Sequence, residues 1–326
     1  MKRRNIIVIG ASAGGVSALQ KLFAQLPGDL DASIFVVLHI SAESPSTLAS
    51  LIDNAGPLKA ATAVDQAPIL PGQVYVAPPD FHLLVKPGLV HVFKGPRENR
   101  HRPAIDPLFR SAAIAYTSQV VSIVLTGLLD DGTSGMLAVK RCGGIAIAQS
   151  PADAEYADMP KSAILTGQVD YQLPLEKMGS VICELAQTSA PAFPNIPQDI
   201  AREAKIAESV VSDIHGENRL GHLVPVGCPE CGGPLWAIEA DGPRRYRCHV
   251  GHGFTAKALL SSQNNALEQA LWVAMRTMEE RANLTKMMAR DERERGRDMA
   301  AQAYEERSEA LRSHAQVIRR LLTDSP

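Results

Sequence analysis

The segment Asn5-Ile6-Ile7-Val8-Ile9-Gly10-Ala11-Ser12-Ala13-Gly14-Gly15-Val16 constrains the fold of this chain more than any other stretch. An unbroken apolar, β-branched run suits a strand buried on both faces, as strands are in a parallel sheet. The run breaks on a Gly-x-Ser-x-Gly-Gly turn, after which Val16 to Gln25 carries apolar residues at helical spacing. A serine on a strand-to-helix turn stands clear of the sheet, beside the N–H groups that open the helix. That geometry presents a nucleophile, and it also presents a bound phosphate.

Two features separate these readings. A dinucleotide cradle needs Gly-x-Gly-x-x-Gly, whose second glycine admits the pyrophosphate, and here that position is Ser12. It also needs a ribose-binding carboxylate ~20 residues further on, at the end of the second strand. The second strand, Phe35-Val36-Val37-Leu38, ends instead on His39. Neighbouring parallel strands lie ~5 Å apart, so His39 can reach Ser12 at the carboxyl edge, where such sheets keep their sites. A third strand, Val120 to Leu125, runs into Thr126-Gly127-Leu128-Leu129-Asp130-Asp131-Gly132. One of its aspartates can accept from the far nitrogen of the histidine and fix its tautomer, while the other caps the next helix.

Around these motifs the first half of the chain alternates strand and helix. Strands are expected at Ile6–Ile9, Ile34–Leu38, Val120–Leu125 and Ile145–Ala148. Helices are expected at Val16–Gln25, Ser46–Asn54, Asp106–Ala115, Gly132–Arg141, Pro160–Leu165 and Leu175–Ala186. The pattern implies a doubly wound, mostly parallel α/β sheet of Rossmann-like type. Gln73–Ala77, His82–Val85 and Val90–Phe93, separated by Pro and Gly, read as an antiparallel excursion from it.

At this point the chain resembles a known family. Gly10 to Gly15, the strand ending at His39, Val74 to His82, His101 to Phe109, Leu125 to Gly135 and Met159 to Ala163 are similar, in order and spacing, to the catalytic domain of CheB-type chemotaxis protein-glutamate methylesterases. The resemblance covers about residues 5 to 187. It implies a hydrolase, active in signal transduction, that removes methyl groups from glutamate methyl esters of chemoreceptor-like proteins and in related members deamidates glutamine. It implies Ser12 as nucleophile, His39 as base and Asp131 as orienting carboxylate, with backbone N–H groups at His39 and Leu128 as oxyanion donors and no cofactor for catalysis. Arg102 and Arg110 are candidates for recognising an acidic substrate surface, Arg102 more than Arg110, for which an ordinary surface ion pair is the simpler reading.

The chain departs from the family pattern in three places. Ala13 stands where the family commonly has threonine, and Leu128-Leu129 where it has Met-Gly. The chain also begins at the first catalytic strand and not with a receiver domain, so phosphorylation control in cis is not expected. A separate response regulator and a methyltransferase are then the natural partners to consider. Ala13 and Leu129 favour the alternative of a weakly catalytic or non-catalytic scaffold that acts through the rest of the chain.

That remainder is expected to hold a linker (189–222), a compact cysteine module (223–261) and a helical tail (262–326), after a catalytic domain over 1–188. Cys228-Pro229-Glu230-Cys231-Gly232-Gly233 has zinc-knuckle spacing, and Cys248 with His252 supplies a second pair. Leu235–Glu239 and Arg244–Arg247 flank Asp241-Gly242 as a hairpin would, so the module reads as a zinc ribbon with a closed, structural site. His249, next to Cys248, is poorly placed to share that metal. Arg244, Arg245 and Arg247 raise nucleic-acid binding, but Glu239 and Asp241 lie alongside and a solvated strand face explains them as well. The tail is either a hairpin or one long helix, with Leu267, Leu271, Val273, Met278 and Leu284, then Leu311, Val317, Ile318 and Leu321, as its apolar positions. It offers a route to a homo-oligomer.

A net charge of −2 over 326 residues gives no electrostatic case for nucleic acid or an anionic membrane. No apolar run approaches the ~18 residues of a membrane span. Five unevenly placed cysteines do not form a disulfide framework, and a cytoplasmic location is the corresponding expectation.

Overall fold

Seven parallel strands form the central sheet: β1 (Ile6–Ala11), β2 (Ser33–Leu38), β3 (Lys59–Thr62), β4 (Gln73–Val76), β7 (Val120–Val124), β8 (Ile145–Gln149) and β9 (Tyr171–Leu173). Their order is β3-β4-β2-β1-β7-β8-β9. The computed structural model describes residues 2–193, 195–208, 221–238 and 243–323. Every residue of β1 and β2 is buried, as an apolar run without alternation requires. Ile7, Ile9 and Ala11 face a core built with α1 (Gly15–Phe23), α2 (Leu48–Asp53) and α6 (Leu175–Gln187). Ile6 and Val8 face the opposite core, built with α3 (Ile105–Tyr116), α4 (Thr133–Arg141) and α5 (Asp158–Leu165).

The chain winds outward from β1 through β2 to β4 and β3, then returns to place β7 on the other side of β1. That reversal makes a crevice at the carboxyl ends of β1 and β7, the position where open α/β sheets bind ligands. The expected excursion is corrected in one strand. β4 joins the main sheet in parallel with β2 and β3, and the antiparallel hairpin comprises β5 (His82–Lys86) and β6 (Leu89–Phe93) alone. Neither β3 nor β9 has a clear sequence signal: β3 is a short edge strand with every second residue exposed.

The segment expected to be a linker carries α7 (Gln198–Glu208), which packs Ile200 into the second core and pairs Asp199 with Arg141. Residues 209–220 lie outside the described residues, as does the Asp241-Gly242 turn. Next comes a four-stranded antiparallel ribbon of β10 (Gly221–Gly227), β11 (Pro234–Ile238), β12 (Arg245–Cys248) and β13 (Gly253–Thr255). Residues Met1–Leu259 form one compact unit and Leu260–Pro326 a second.

The second unit contains most of α8 (Ala256–Glu294) and all of α9 (Asp298–Thr323). The chain reverses at Gly296, whose φ of 73° is left-handed, and the helices run antiparallel through Arg293–Glu305 and Arg319–Glu279 pairs. Their seam holds small residues seven apart: Ala282 and Ala289 on one helix, Ala301, Ser308 and Ala315 on the other. Such spacing lets two helices approach closely. Leu267, Val273, Leu284, Val317 and Leu321, expected as the apolar positions of the tail, are exposed. Among the described residues no helix is long and apolar enough to cross a membrane.

Candidate active site

The β1–β2 register pairs Ala11 with Leu38, so the next residue on each strand, Ser12 and His39, emerge side by side. Gly14, at a left-handed φ of 73°, turns the chain from Ser12 into α1. A Cβ on Gly127 would lie 2.8 Å from that of Ser12, so the facing loop must carry glycine there. Asp131 arrives from the loop between β7 and α4. His39 Nδ1 faces Ser12 Oγ at 3.2 Å, and His39 Nε2 faces Asp131 Oδ2 at 2.7 Å. The side chains of His39 and Asp131 are 4% and 3% exposed, so this pairing is shielded from water. With its proton on Nε2 held by Asp131, the imidazole offers the lone pair of Nδ1 to the serine hydroxyl. The two ring nitrogens thus exchange the places they take in the serine-protease template, while their functions stay the same.

Asp131 is the terminus of a dense donor network. Ile105 N–H donates to Oδ2 at 2.8 Å; Asp106 N–H (3.2 Å) and Gly132 N–H (2.9 Å) donate to Oδ1. Two of these donors open α3, where the helix dipole also favours an anion. Burial pushes the Asp131 carboxyl up, but His39 and these N–H groups outweigh it and hold the group well below the usual carboxylate range. Asp106, buried beside Asp131, is pushed the other way by burial and by that like charge. His101 stacks on His39 with ring centroids 3.6 Å apart and planes 9° apart. Burial, then the neighbouring His39, pushes His101 down to about 3, so it is a neutral support for the imidazole.

A cleft of about 560 Å³ opens over Ser12 and His39, lined by Ile40, Ser41, Glu43, Arg97, Arg100 and Arg102. Of the three arginines at this mouth, Arg102 is paired with Asp80 and Arg97 lies 3.8 Å from Glu230.

The model of the CheB methylesterase family matches residues 7–182. The chain belongs to that family. A Leptospira interrogans relative (serovar copenhageni), named as a candidate protein-glutamate methylesterase/protein-glutamine glutaminase, is 39% identical over 184 residues, 56% of this chain and 95% of its own length. The Methanosarcina acetivorans protein-glutamate methylesterase/protein-glutamine glutaminase 2 is 34% identical over 190 residues, and this match spans about half of it, 53%. The crystal structure of the Thermotoga maritima CheB methylesterase catalytic domain matches with a TM-score of 0.53 at 38% identity, covering 56% of this chain and 98% of that one.

Within this CheB-family domain, several expectations are revised. His39 N–H donates to Ala11 O at 3.1 Å, so the oxyanion donor expected there is already engaged in continuing the strand ladder. Leu128 is exposed on the loop facing Ser12, and Leu129 beside it adopts a left-handed φ of 63° where the family pattern has glycine. Arg102 lines the cleft, but its guanidinium is held by Asp80 Oδ1 (2.9 Å from Nε) and Gly95 O (2.6 Å), so its donors are engaged and its charge is shared with Asp80. Arg110 is not on the surface. It is buried in a cluster with Glu98, Glu203, Arg245 and Arg247, which also removes Arg245 and Arg247 from any solvated ribbon face. Sequence reading missed His101, Asn99 and Asp106 as site residues, although His101 and Asp106 lie inside a family-like motif.

In the ribbon, the donor atoms of Cys228, Cys231, Cys248 and His252 all lie within 4.8 Å of one another. Cys248 Sγ is 3.4 Å from His252 Nδ1 and 3.7 Å from Cys231 Sγ. Two tight turns, closed by Gly232 N–H to Cys228 O and Gly251 N–H to Cys248 O, aim the four side chains inward. Three thiols and one imidazole at this spacing suit a tetrahedral metal ion with no open position.

Proposed function

We propose that the protein is a serine-type carboxylic ester hydrolase that demethylates glutamate methyl esters on chemoreceptor-like proteins. The observation that carries this reading is the shielded Ser12–His39–Asp131 relay at the carboxyl edge of the sheet, joined by contacts of 3.2 and 2.7 Å. Ser12 Oγ attacks the ester carbonyl as its proton passes to His39 Nδ1. The tetrahedral oxyanion collapses, the C–O bond to the methoxy group breaks, and methanol leaves with the proton from Nδ1. Water then enters by the same route, its proton taken by His39, and releases free glutamate and Ser12. Asp131 keeps the ring oriented and stabilises the imidazolium that forms in each half. Leu128 N–H is the oxyanion donor in this reading, and the arginine-lined mouth, Arg102 included, favours an acidic receptor surface. Glutamine deamidation follows the same course with ammonia as leaving group. Zinc in the Cys228–Cys231–Cys248–His252 site is structural, since four protein ligands leave no position for substrate.

Methyl-labelled receptor membranes incubated with the native protein should release methanol, and Ser12→Ala should abolish the release. Equal release by both proteins refutes the assignment of the nucleophile. No release by the native protein from any methylated receptor refutes the esterase reading.

A further inference from the structure

The last strand of the ribbon is laid along the turn that precedes α3. Gly253 N–H donates to Arg97 O at 3.2 Å and Asn99 N–H donates to Gly253 O at 2.8 Å, a bridge between Glu98 and Gly253. Two residues on, Thr255 N–H donates to Asn99 Oδ1 at 2.9 Å. Asn99 is buried, and its left-handed φ of 50° is one that asparagine tolerates better than most residues.

With Oδ1 taken by the ribbon, the Asn99 amide can present only its NH2 group inward. Nδ2 donates to Asp131 Oδ1 at 2.8 Å and to Asp106 Oδ2 at 2.9 Å. A flipped amide would set NH2 against an N–H and its oxygen against two carboxylates, three repulsions in place of three hydrogen bonds. The ribbon therefore determines which way this amide points. Thr255 Oγ1 also donates to Asp130 Oδ1 at 2.7 Å, holding the residue next to Asp131.

We propose that Asn99 is a positioning residue for the Ser12–His39–Asp131 relay, its amide oriented by Thr255 of the ribbon, an inference that rests on the esterase reading above. Among the described residues, Asn99 and His39 are the side chains that donate to Asp131; its other donors are backbone N–H groups. Those N–H groups fix where the carboxylate sits. Asn99 draws Oδ1 away from the histidine and leaves Oδ2 in line with Nε2. A carboxylate rotated about its Cβ–Cγ bond would let the imidazole swing, and Nδ1 would leave the serine.

The test is modification of Ser12 in the full chain by a small alkyl fluorophosphonate. The serine oxygen bonds to phosphorus, fluoride leaves, and His39 takes the hydroxyl proton, so the rate reports the relay without requiring the receptor. Asn99→Gly removes the amide and leaves the left-handed turn unstrained, while Asn99→Ala removes the amide and keeps the Cβ without setting a new acidic group against Asp131 and Asp106. Both variants should label to the native stoichiometry, with the maximal rate constant about 10- to 100-fold lower, the worth of one hydrogen bond to a charged group, and the half-saturating concentration unchanged. A purely structural role would lower the labelled fraction and leave the folded remainder reacting at the native rate; that result in either variant overturns the inference. Failure of the native protein to label at Ser12 overturns the esterase reading itself and is distinguishable from both.

Discussion

Glu203→Gln is the substitution for which the structure gives the clearest magnitude. Glu203 sits on α7 with its side chain 4% exposed, and it accepts from Arg110 Nη1 at 3.1 Å, from Arg247 Nη2 at 3.4 Å and from Arg245 Nη1. Glu98, 6% exposed, accepts from Arg110 and Arg247, so three guanidinium groups share two carboxylates. Burial pushes Glu203 up, but the three arginines outweigh it and hold its carboxyl far below the usual range. Glutamine removes one negative charge from this interior and turns an NH2 group toward donors that have no use for it. Leaving a buried charge uncompensated costs about 3–5 kcal/mol. At roughly 2–4 °C per kcal/mol for a unit of this size, Tm of the first unit should fall by about 6–20 °C. Arg110→Met should cost less than half as much, because it leaves two guanidinium groups against two carboxylates. Calorimetry on the full chain resolves the two transitions and measures both variants. A Glu203→Gln transition within ~2 °C of native, or a larger loss in Arg110→Met, refutes the electrostatic argument.

Three other outcomes follow from the same structure. Leu129→Val should lower Tm by the equivalent of about 1 kcal/mol or more, because a β-branched residue fits the φ of 63° still less well than leucine, and Leu129→Gly should not lower it. Treatment with a strong chelator under reducing conditions should release one metal ion per chain, lower the first transition and slow Ser12 labelling; metal-free protein with native labelling counts against the ribbon as part of the site. On acidification, the lowered carboxyls of Asp131, Glu98 and Glu203 contribute stability that is complete above the unfolded carboxylate range and is lost as pH falls through their folded values, whereas the raised Asp106 and Asp130 act in the opposite sense and above that range. Tm should therefore drop steeply below about pH 4, and Glu203→Gln should flatten that slope.

What the sequence made legible follows from where the physics is local. The β1 run, the serine turn, the strand end at His39 and the Gly-rich loop carrying Asp131 are contiguous signals; the register of the parallel sheet sets Ser12 beside His39, and the β7–α4 loop brings Asp131 to them. β3 was invisible because a short edge strand with alternate exposed residues has too few apolar positions to declare itself. Arg110, Arg245 and Arg247 read as surface charges because no periodicity links them to the carboxylates that bury them: Glu98 lies across a loop from Arg110 and far from Arg247, and Glu203 lies in a segment that reads as linker. The tail is the expected helical hairpin, but its seam is formed by alanines and a serine that carry little hydropathic signal, and not by the large apolar residues.

The same long-range contacts answer the question raised by Ala13. A threonine hydroxyl at that position could help to hold the histidine, and its absence suggested a weakened site. The imidazole is nonetheless fixed on three sides: by Asp131 at 2.7 Å, by Ser12 at 3.2 Å and by the face of His101 at 3.6 Å. His101 is itself anchored, since its N–H donates to Glu98 O at 2.9 Å across a turn in which Asn99 holds Asp131. One short turn thus supports both the histidine and the aspartate, and β13 of the ribbon is hydrogen-bonded along it. Leu129, in a backbone conformation that glycine would adopt freely, is held there by a loop whose next two residues are tied down, Asp130 by Thr255 and Asp131 by the relay. The departures from the family pattern therefore lie where His101, Asn99 and Thr255 brace the site in this chain. The ribbon supplies one of these supports, so a module far from the serine turn in sequence stands two hydrogen bonds from the Asp131 carboxylate.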